Sequence, residues 1–290
     1  MGKVTFLLVG EGEERKELSH CLMSYPMKNL YSWLLASCLP LAAETPQFIV
    51  PTGPLELFQV KDLSGFTTWS EGIGTEDKGS AFSITDGVIH ISGAGRGYVG
   101  PKQGYKDYHL SVEYKWGKKT DGGKYVRNSG LLIHATGPDG NSGDKWMASV
   151  ECQLAQGCEG DLIVIRGTDF DKKTIPVTLT SDTLKARDNR TRWNPGGKPT
   201  KWFGRQFWWT HHDPDFKELL DTRGRWDVAS PLGKWTKVEV ICLTDRINIK
   251  VNGFTVNQVY EVFPAGGRIL FQNEGHEVFF RNAILEPAKK

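Results

Sequence analysis

Between Tyr108 and Trp116 the side chains alternate strictly: Tyr108, Leu110, Val112, Tyr114 and Trp116 fall on one side, and His109, Ser111, Glu113 and Lys115 on the other. A helix would scatter that apolar set around its axis, whereas a pleated strand gathers it on one face. Shorter runs of the same kind recur, separated by Gly, Pro, Asp and Asn. They include Leu55–Val60, Ala81–Thr85, Val88–Ser92, Tyr98–Pro101, Ser129–Ala135, Ser149–Leu154, Asp161–Arg166, Thr236–Leu243, Ile247–Val251 and Phe254–Val259. Asp86-Gly87 and Asn252-Gly253 each sit between two such runs, the strongest short-range signal for a tight hairpin. The sequence therefore predicts an all-β protein with few helices. Ten Trp and 33 Gly among 290 residues suit a sandwich with tight turns and a carbohydrate-like site. A net charge of +2 provides no nucleic-acid footprint.

The chain divides at about residue 43. Residues 1–25 show no convincing period, consistent with a start codon further downstream. Met27-Lys28-Asn29, the apolar run Leu30–Leu41 and the small pair Ala42-Ala43 then read as a secretory signal cut after Ala43. The expectation is an exported protein, periplasmic, cell-surface or extracellular. Leu35-Ala36-Ser37-Cys38 also resembles a lipoprotein box, so a lipid anchor at Cys38 is the alternative. No later stretch is apolar for long enough to span a bilayer. Residues 44–290 read as one domain. Cys152, Cys158 and Cys242 remain in it, either buried as free thiols or with a Cys152–Cys158 bridge across a turn. From about 168 to 231 the rhythm breaks into a charged, Trp- and Pro-rich segment, expected to cover a site or a sheet edge, with one or two helical turns at Phe216–Leu220.

Chemistry concentrates on a few strand positions. In Val150-Glu151-Cys152-Gln153-Leu154 the pleat sends Glu151 and Gln153 to the face opposite the apolar set, where they form either a solvated face or a sugar-binding pair. Asn128, Gly130, Leu132 and His134 are expected to share a face, with Gly130 leaving room for a ligand. Arg166 ends the next strand. Gly267–Leu285 reads as a closing hairpin, with Ile269, Phe271 and alternate residues of Val278–Leu285 inward and Gln272, Glu274 and His276 facing a cleft. Among the tryptophans of the irregular segment, Trp209 is taken as a sugar-stacking candidate. The adjacent pair His211-His212 would point apart in a strand, so one ion is not expected to bind both.

The ordered series Leu57-Phe58, Lys61-Asp62-Leu63-Ser64-Gly65, Asp86-Gly87-Val88-Ile89, Asn128-Ser129-Gly130, Glu151-Cys152-Gln153, Gly160-Asp161-Leu162, Val251-Asn252-Gly253 and Phe271-Gln272-Asn273-Glu274-Gly275 resembles the 3-keto-disaccharide hydrolase family, also described as 3-keto-glucoside 1,2-lyases and 3-keto-2-hydroxy-glucal hydratases. The resemblance covers roughly residues 55–287. It departs from the family at Lys234 and Thr236 around Trp235, at His134 where many members carry Arg, and in the length of the 168–231 segment. It implies a concanavalin A-like jelly roll of two curved antiparallel sheets, with a carbohydrate substrate and cleavage of 3-keto-glycosides. Glu151 would serve as base and Glu274 or His276 as acid, with Asn128, His134, Gln153, Arg166, Gln272 and Trp209 binding substrate. A divalent cation is an optional partner that no ligand spacing demands. A non-catalytic carbohydrate-binding module on the same fold is the alternative function.

Overall fold

A computed structural model describes residues 48–76 and 81–289. The N-terminal extension, the signal segment and Cys38 lie outside the described residues. Eighteen strands follow in chain order: β1 (Leu55–Glu56), β2 (Phe66–Ser70), β3 (Phe82–Thr85), β4 (Val88–Ile91), β5 (Gly97–Pro101), β6 (Tyr108–Trp116), β7 (Gly130–Thr136), β8 (Ala148–Gln153), β9 (Leu162–Ile165), β10 (Thr178–Lys185), β11 (Thr191–Trp193), β12 (Lys198–Trp202), β13 (Arg205–Phe207), β14 (Thr236–Leu243), β15 (Arg246–Val251), β16 (Phe254–Phe263), β17 (Arg268–Asn273) and β18 (Val278–Pro287). They build two antiparallel sheets. The first has the order β11-β10-β16-β15-β14-β6-β18-β4-β3, with β1 beside β18 and β12 beside β10; the second has the order β13-β9-β8-β7-β17-β5-β2. The sheets pack face to face as a jelly-roll sandwich. No described residue is helical, Phe216–Leu220 included, and no described helix could cross a membrane.

The alternation in β6 turns into burial as expected: Tyr108, Leu110, Val112, Tyr114 and Trp116 all join the core between the sheets. β6 is flanked by β14 and β18, so Tyr114 lies opposite both Thr236 and Phe280. The second sheet contributes Leu131, Ile133, Val150, Cys152, Ile269 and Phe271 to the same core. Phe271 meets Phe280 across the sheets at 5.0 Å between ring centroids, and Phe58 meets Phe271 at 5.1 Å. Each fully buried aromatic of this kind is worth about 3–5 kcal/mol against truncation to Ala. Asp86-Gly87 and Asn252-Gly253 are tight hairpin turns, with Asp86 and Asn252 both at positive φ.

Several sequence expectations are corrected here. Gly267–Leu285 is not a hairpin, because β17 belongs to the second sheet and β18 to the first. The segment between them crosses the sandwich edge, pinned by Asn273 Nδ2 donating to Ala94 O at 2.8 Å and by Glu277 Oε2 accepting from the Lys118 and Lys119 amides. Within β18 the register shifts between Arg281 and Ile284 and Asn282 adopts φ 52°, so Ala283 and Leu285 face inward after Phe280. Strict period two would have placed Asn282 there instead. The strand β2 falls in a stretch that local pattern left unassigned, while β1 is shorter than its apolar run. The 168–231 segment holds four strands rather than an irregular insertion. Of these, β10 extends the first sheet beyond β16 and β13 extends the second beyond β9, so the segment lengthens both sheet edges. Cys152 and Cys158 are both buried free thiols, and Cys152 points into the main core while Cys158 sits in a separate cluster with Val126 and Ala155.

Candidate active site

The polar residues of interest lie on the face of the second sheet that points away from the first. Cross-strand register sets Trp69 opposite Tyr98, Tyr98 opposite Gln272, and Gly130 opposite Gln153. Phe271 pairs with Leu131, which brings Gln272 level with Gly130. One row thus runs Trp69, Tyr98, Gln272, Gly130, Gln153 across five strands. In the next row Leu270 pairs with Leu132 and Leu132 with Glu151. The glycine is required there: a Cβ at residue 130 would sit 2.6 Å from Glu151 Oε1 and 2.8 Å from Gln272 Oε1. Glu151 and Gln272 therefore converge over the one position in the row with no side chain.

One flank of this face is closed by apolar and ionic contacts. Tyr98, Leu132, Ala135, Met147, Ile165 and Leu270 form a second cluster, with half-buried Trp69 and Trp146 against it. Tyr98 donates from its hydroxyl to Asp139 at 2.9 Å, and Arg268 Nη2 donates to the same carboxylate at 2.8 Å. The face is therefore not an ordinary solvated one. Glu151, Gln153, Asn128 and Gln272 are all buried.

Glu151 and Glu274 are the chemical centre of this arrangement. Asn128 Nδ2 donates to Glu274 Oε2 at 3.1 Å. Burial pushes the Glu151 carboxyl well above the usual range, and the negative charge of Glu274 pushes it further; the Gln272 amide partly opposes this. Gln272 is near enough to favour the charged form, yet neither of its amide atoms makes a hydrogen bond within the protein. Burial raises Glu274 to about 7, against the pull of Arg96 and Lys145, which favour its ionised form. Glu151 has no cation acting comparably and is the more deeply buried of the two. A proton shared by the pair therefore rests on Glu151, and the charge rests on Glu274. Buried polar atoms normally find partners, so the bare amide of Gln272 and the bare Oδ1 of Asn128 beside two carboxyl groups leave a donor and acceptors open to a polar ligand.

The structure does not gather every residue singled out from sequence. Gln153 faces the row, but its Oε1 accepts from the Leu154 and Ala155 amides, a local structural task. His276 is buried and turns toward Asp121, with Nε2 3.4 Å from the carboxylate. Burial lowers its pKa, and Asp121 and Arg127 are the charges that act on it most, not Glu151. His134 leaves the predicted face altogether. Its φ is +55° in an irregular stretch of β7, Nδ1 lies 2.9 Å from Pro264 O, and its ring meets core Tyr108 edge-on. Burial there holds it down to about 4, so it is neutral at physiological pH. Arg166 is exposed at a strand end, stacked over Phe203 at 5.2 Å. Trp209 belongs to the core and borders a cavity of about 510 Å³ lined also by His211, Trp226 and Phe254, and by neither Glu151 nor Glu274. Conversely, Trp69, Arg96 and Lys145 escaped sequence reading. Trp69 follows a turn with no clear alternation, and the two cations lie in loops where spacing carries no directional information.

The outer side of the second sheet of this jelly roll thus holds Glu151 beside Glu274, with the Gln272 amide and the Asn128 Oδ1 unpartnered next to them. Residues 53–286 match the 3-keto-alpha-glucoside-1,2-lyase-like domain, and the chain belongs to that family. Among solved structures it is similar to a protein from Parabacteroides distasonis described as a glycosyl hydrolase, at 17% identity over 82% of this chain and 94% of that one, TM-score 0.47. It is also similar to the LamA catalytic domain from Zobellia galactanivorans, at 10% identity over 82% and 97% of the two chains, TM-score 0.38. A carbohydrate-binding module from Bacillus subtilis matches at 9% identity over 83% and 99%, TM-score 0.36. No curated protein matches this chain.

Proposed function

We propose that the protein cleaves 3-keto-glycosides by β-elimination, acting after export as the leader-like segment before Ala43 suggests. The observation that carries this reading is the Glu151–Glu274 pair, in which burial and mutual repulsion keep one carboxyl protonated beside one carboxylate. A 3-keto group acidifies the hydrogen on C2. A carboxylate removes that proton, the C2–H electron pair becomes the C1=C2 bond, and the C1–O bond breaks with its electrons on the leaving oxygen. A carboxylic acid protonates that oxygen as it departs. The products are the 2-hydroxy enone and the free alcohol, and water can then add to the enone.

In this reading the two carboxyl groups exchange the roles expected from sequence. Glu274, held by Asn128 and favoured as an anion by Arg96 and Lys145, is the base. Glu151 holds the proton and is the acid. The Gln272 amide N–H groups are free to donate to the enolate oxygen, and the free Oδ1 of Asn128 is free to accept from a substrate hydroxyl.

The test uses two 3-keto-glucosides, one with a nitrophenolate leaving group and one with a sugar, each with and without EDTA. A nitrophenolate departs without acid help. Glu151→Gln is therefore expected to cleave the nitrophenyl substrate at near wild-type rate while losing the disaccharide, and Glu274→Gln is expected to lose both. Tight binding without cleavage of either substrate by the wild type would make the protein a binding module and overturn the reading.

A further inference from the structure

The 168–231 segment reaches back to the turn between β8 and β9, and a second set of buried ionisable groups meets there. The Asp161 amide donates to Cys158 O at 3.0 Å, so one tight turn presents both the Cys158 thiol and the Asp161 carboxyl. Asp161 Oδ1 accepts from the Trp209 amide at 2.9 Å, and the His212 amide donates to Trp209 O at 3.1 Å. That chain of contacts carries the His212 ring into the same place. Cys158 Sγ, a ring nitrogen of His212 and a carboxylate oxygen of Asp161 all lie within 4.8 Å of one another, and all three residues are buried.

Two observations set this cluster apart from ordinary packing. The first is His212 Nδ1: its side chain is fully buried, and the atom lies 3.4 Å from Asp161 Oδ2, near enough to favour that carboxylate but off the line of a well-formed hydrogen bond. A buried ring nitrogen without a well-aligned partner, beside a carboxylate and a thiol, is open to a ligand shared by the three. The second is the donor set itself: a thiol, an imidazole and a carboxylate, all buried, offer their ligand atoms to one space, while Arg190 stands at His212 Nε2 and Arg223 at Asp227.

We propose that Cys158, Asp161 and His212 bind a divalent transition-metal cation, zinc by preference, that clamps the 168–231 segment to the β8–β9 turn. The mixed sulfur, nitrogen and oxygen donor set suits Zn2+ and disfavours the oxygen-seeking Ca2+ and Mg2+. This site is separate from Glu151 and Glu274 and does not depend on the reaction proposed for them. Binding displaces the thiol proton to solvent, so affinity rises with pH. It also needs the His212 proton on Nε2, where Arg190 Nη1 stands 3.3 Å away and can only donate. Arg190 rests on the Trp208 ring at 5.1 Å and must draw back along it when the metal enters.

Full-length protein stripped with a chelator and titrated with Co2+ alone tests this directly. A near-ultraviolet thiolate-to-cobalt charge-transfer band, saturating at about one equivalent, is the expected result. Zn2+ should abolish the band and raise the melting temperature. Cys158→Ala should lose the band, and His212→Gln should weaken binding by more than the roughly 10–100-fold that outer-shell partners typically cost. Glu151→Gln should keep the band intact. Absence of the band in folded wild-type protein overturns the proposal whatever the variants do, and so does a band that vanishes with Glu151→Gln but survives Cys158→Ala.

Discussion

Among the described residues, carboxyl groups are withdrawn from solvent on the outer face of the second sheet and behind the β8–β9 turn, and the two regions accommodate them differently. Around Glu151 and Glu274 stand neutral amides, of which Gln272 has no hydrogen-bond partner and Asn128 keeps a free Oδ1, and the charges that steady Glu274 belong to Arg96 and Lys145 in loops. Around Glu159, Asp161 and Asp227 the neighbours are a thiol, an imidazole and backbone amides already donating, as at Gly157 and Trp209. Neutral, unsatisfied amides leave a carboxylate pair free to exchange a proton with a polar guest. Soft donors gathered around fixed carboxylates instead leave a place for a cation. Equal burial therefore means different things, and the identity of the surrounding donors decides which.

The largest expected effect lies in the first site. Glu274→Gln should lower kcat on a 3-keto-disaccharide by about 10²–10⁴-fold, the usual worth of a positioned base. Steady-state rates with circular dichroism as a folding control would check it; a loss below tenfold would separate Glu274 from the chemistry. Next comes Gly130→Ala. Its new methyl group would press on Glu151 and Gln272, costing about 1–3 kcal/mol in stability and at least tenfold in kcat/KM. Denaturant unfolding and kinetics together would show whether that row is as crowded as its geometry says.

A third effect is in pH dependence. Glu274 is raised from 4.5 to about 7, so the stability linked to its protonated form is fully present below about pH 4.5 and is lost as pH rises through about 7. Glu274→Gln should therefore unfold at higher denaturant than wild type at pH 8, by on the order of 2 kcal/mol, and the two should converge near pH 4. Parallel curves at both pH values would mean the carboxyl is not raised. The smallest effect is expected at Trp209. Since it faces a different cavity, Trp209→Phe should leave KM for the 3-keto-glycoside within about twofold while lowering the melting temperature by a few degrees.

Much of the architecture was legible in the residues. Alternation in β6 and β14, the apolar set of β8 and the two Gly-containing hairpins all reappear with boundaries shifted by a residue at most, except that β16 runs four residues further, to Phe263, because period two and tight-turn chemistry are local properties. Locality also explains the failures. Two neighbouring strands look alike in sequence whether they pair or part, so β17 and β18 read as a hairpin although they belong to opposite sheets. A single positive-φ residue, His134 in β7 or Asn282 in β18, reverses which side of the strand faces the core, and nothing in the local pattern announces it.

Residue order alone shows that this chain is all-β, that Glu151 lies opposite the apolar set of its strand, and that Gly130 leaves space on its face. These follow from side-chain direction along single strands. Only the tertiary structure decided which polar groups share that space. It brought Glu274 to Asn128, turned His276 to Asp121, removed His134 and Trp209, and carried His212 to Cys158 and Asp161. It also decided where the proton rests, because desolvation and the field of Arg96 and Lys145 depend on distances between segments remote in the chain.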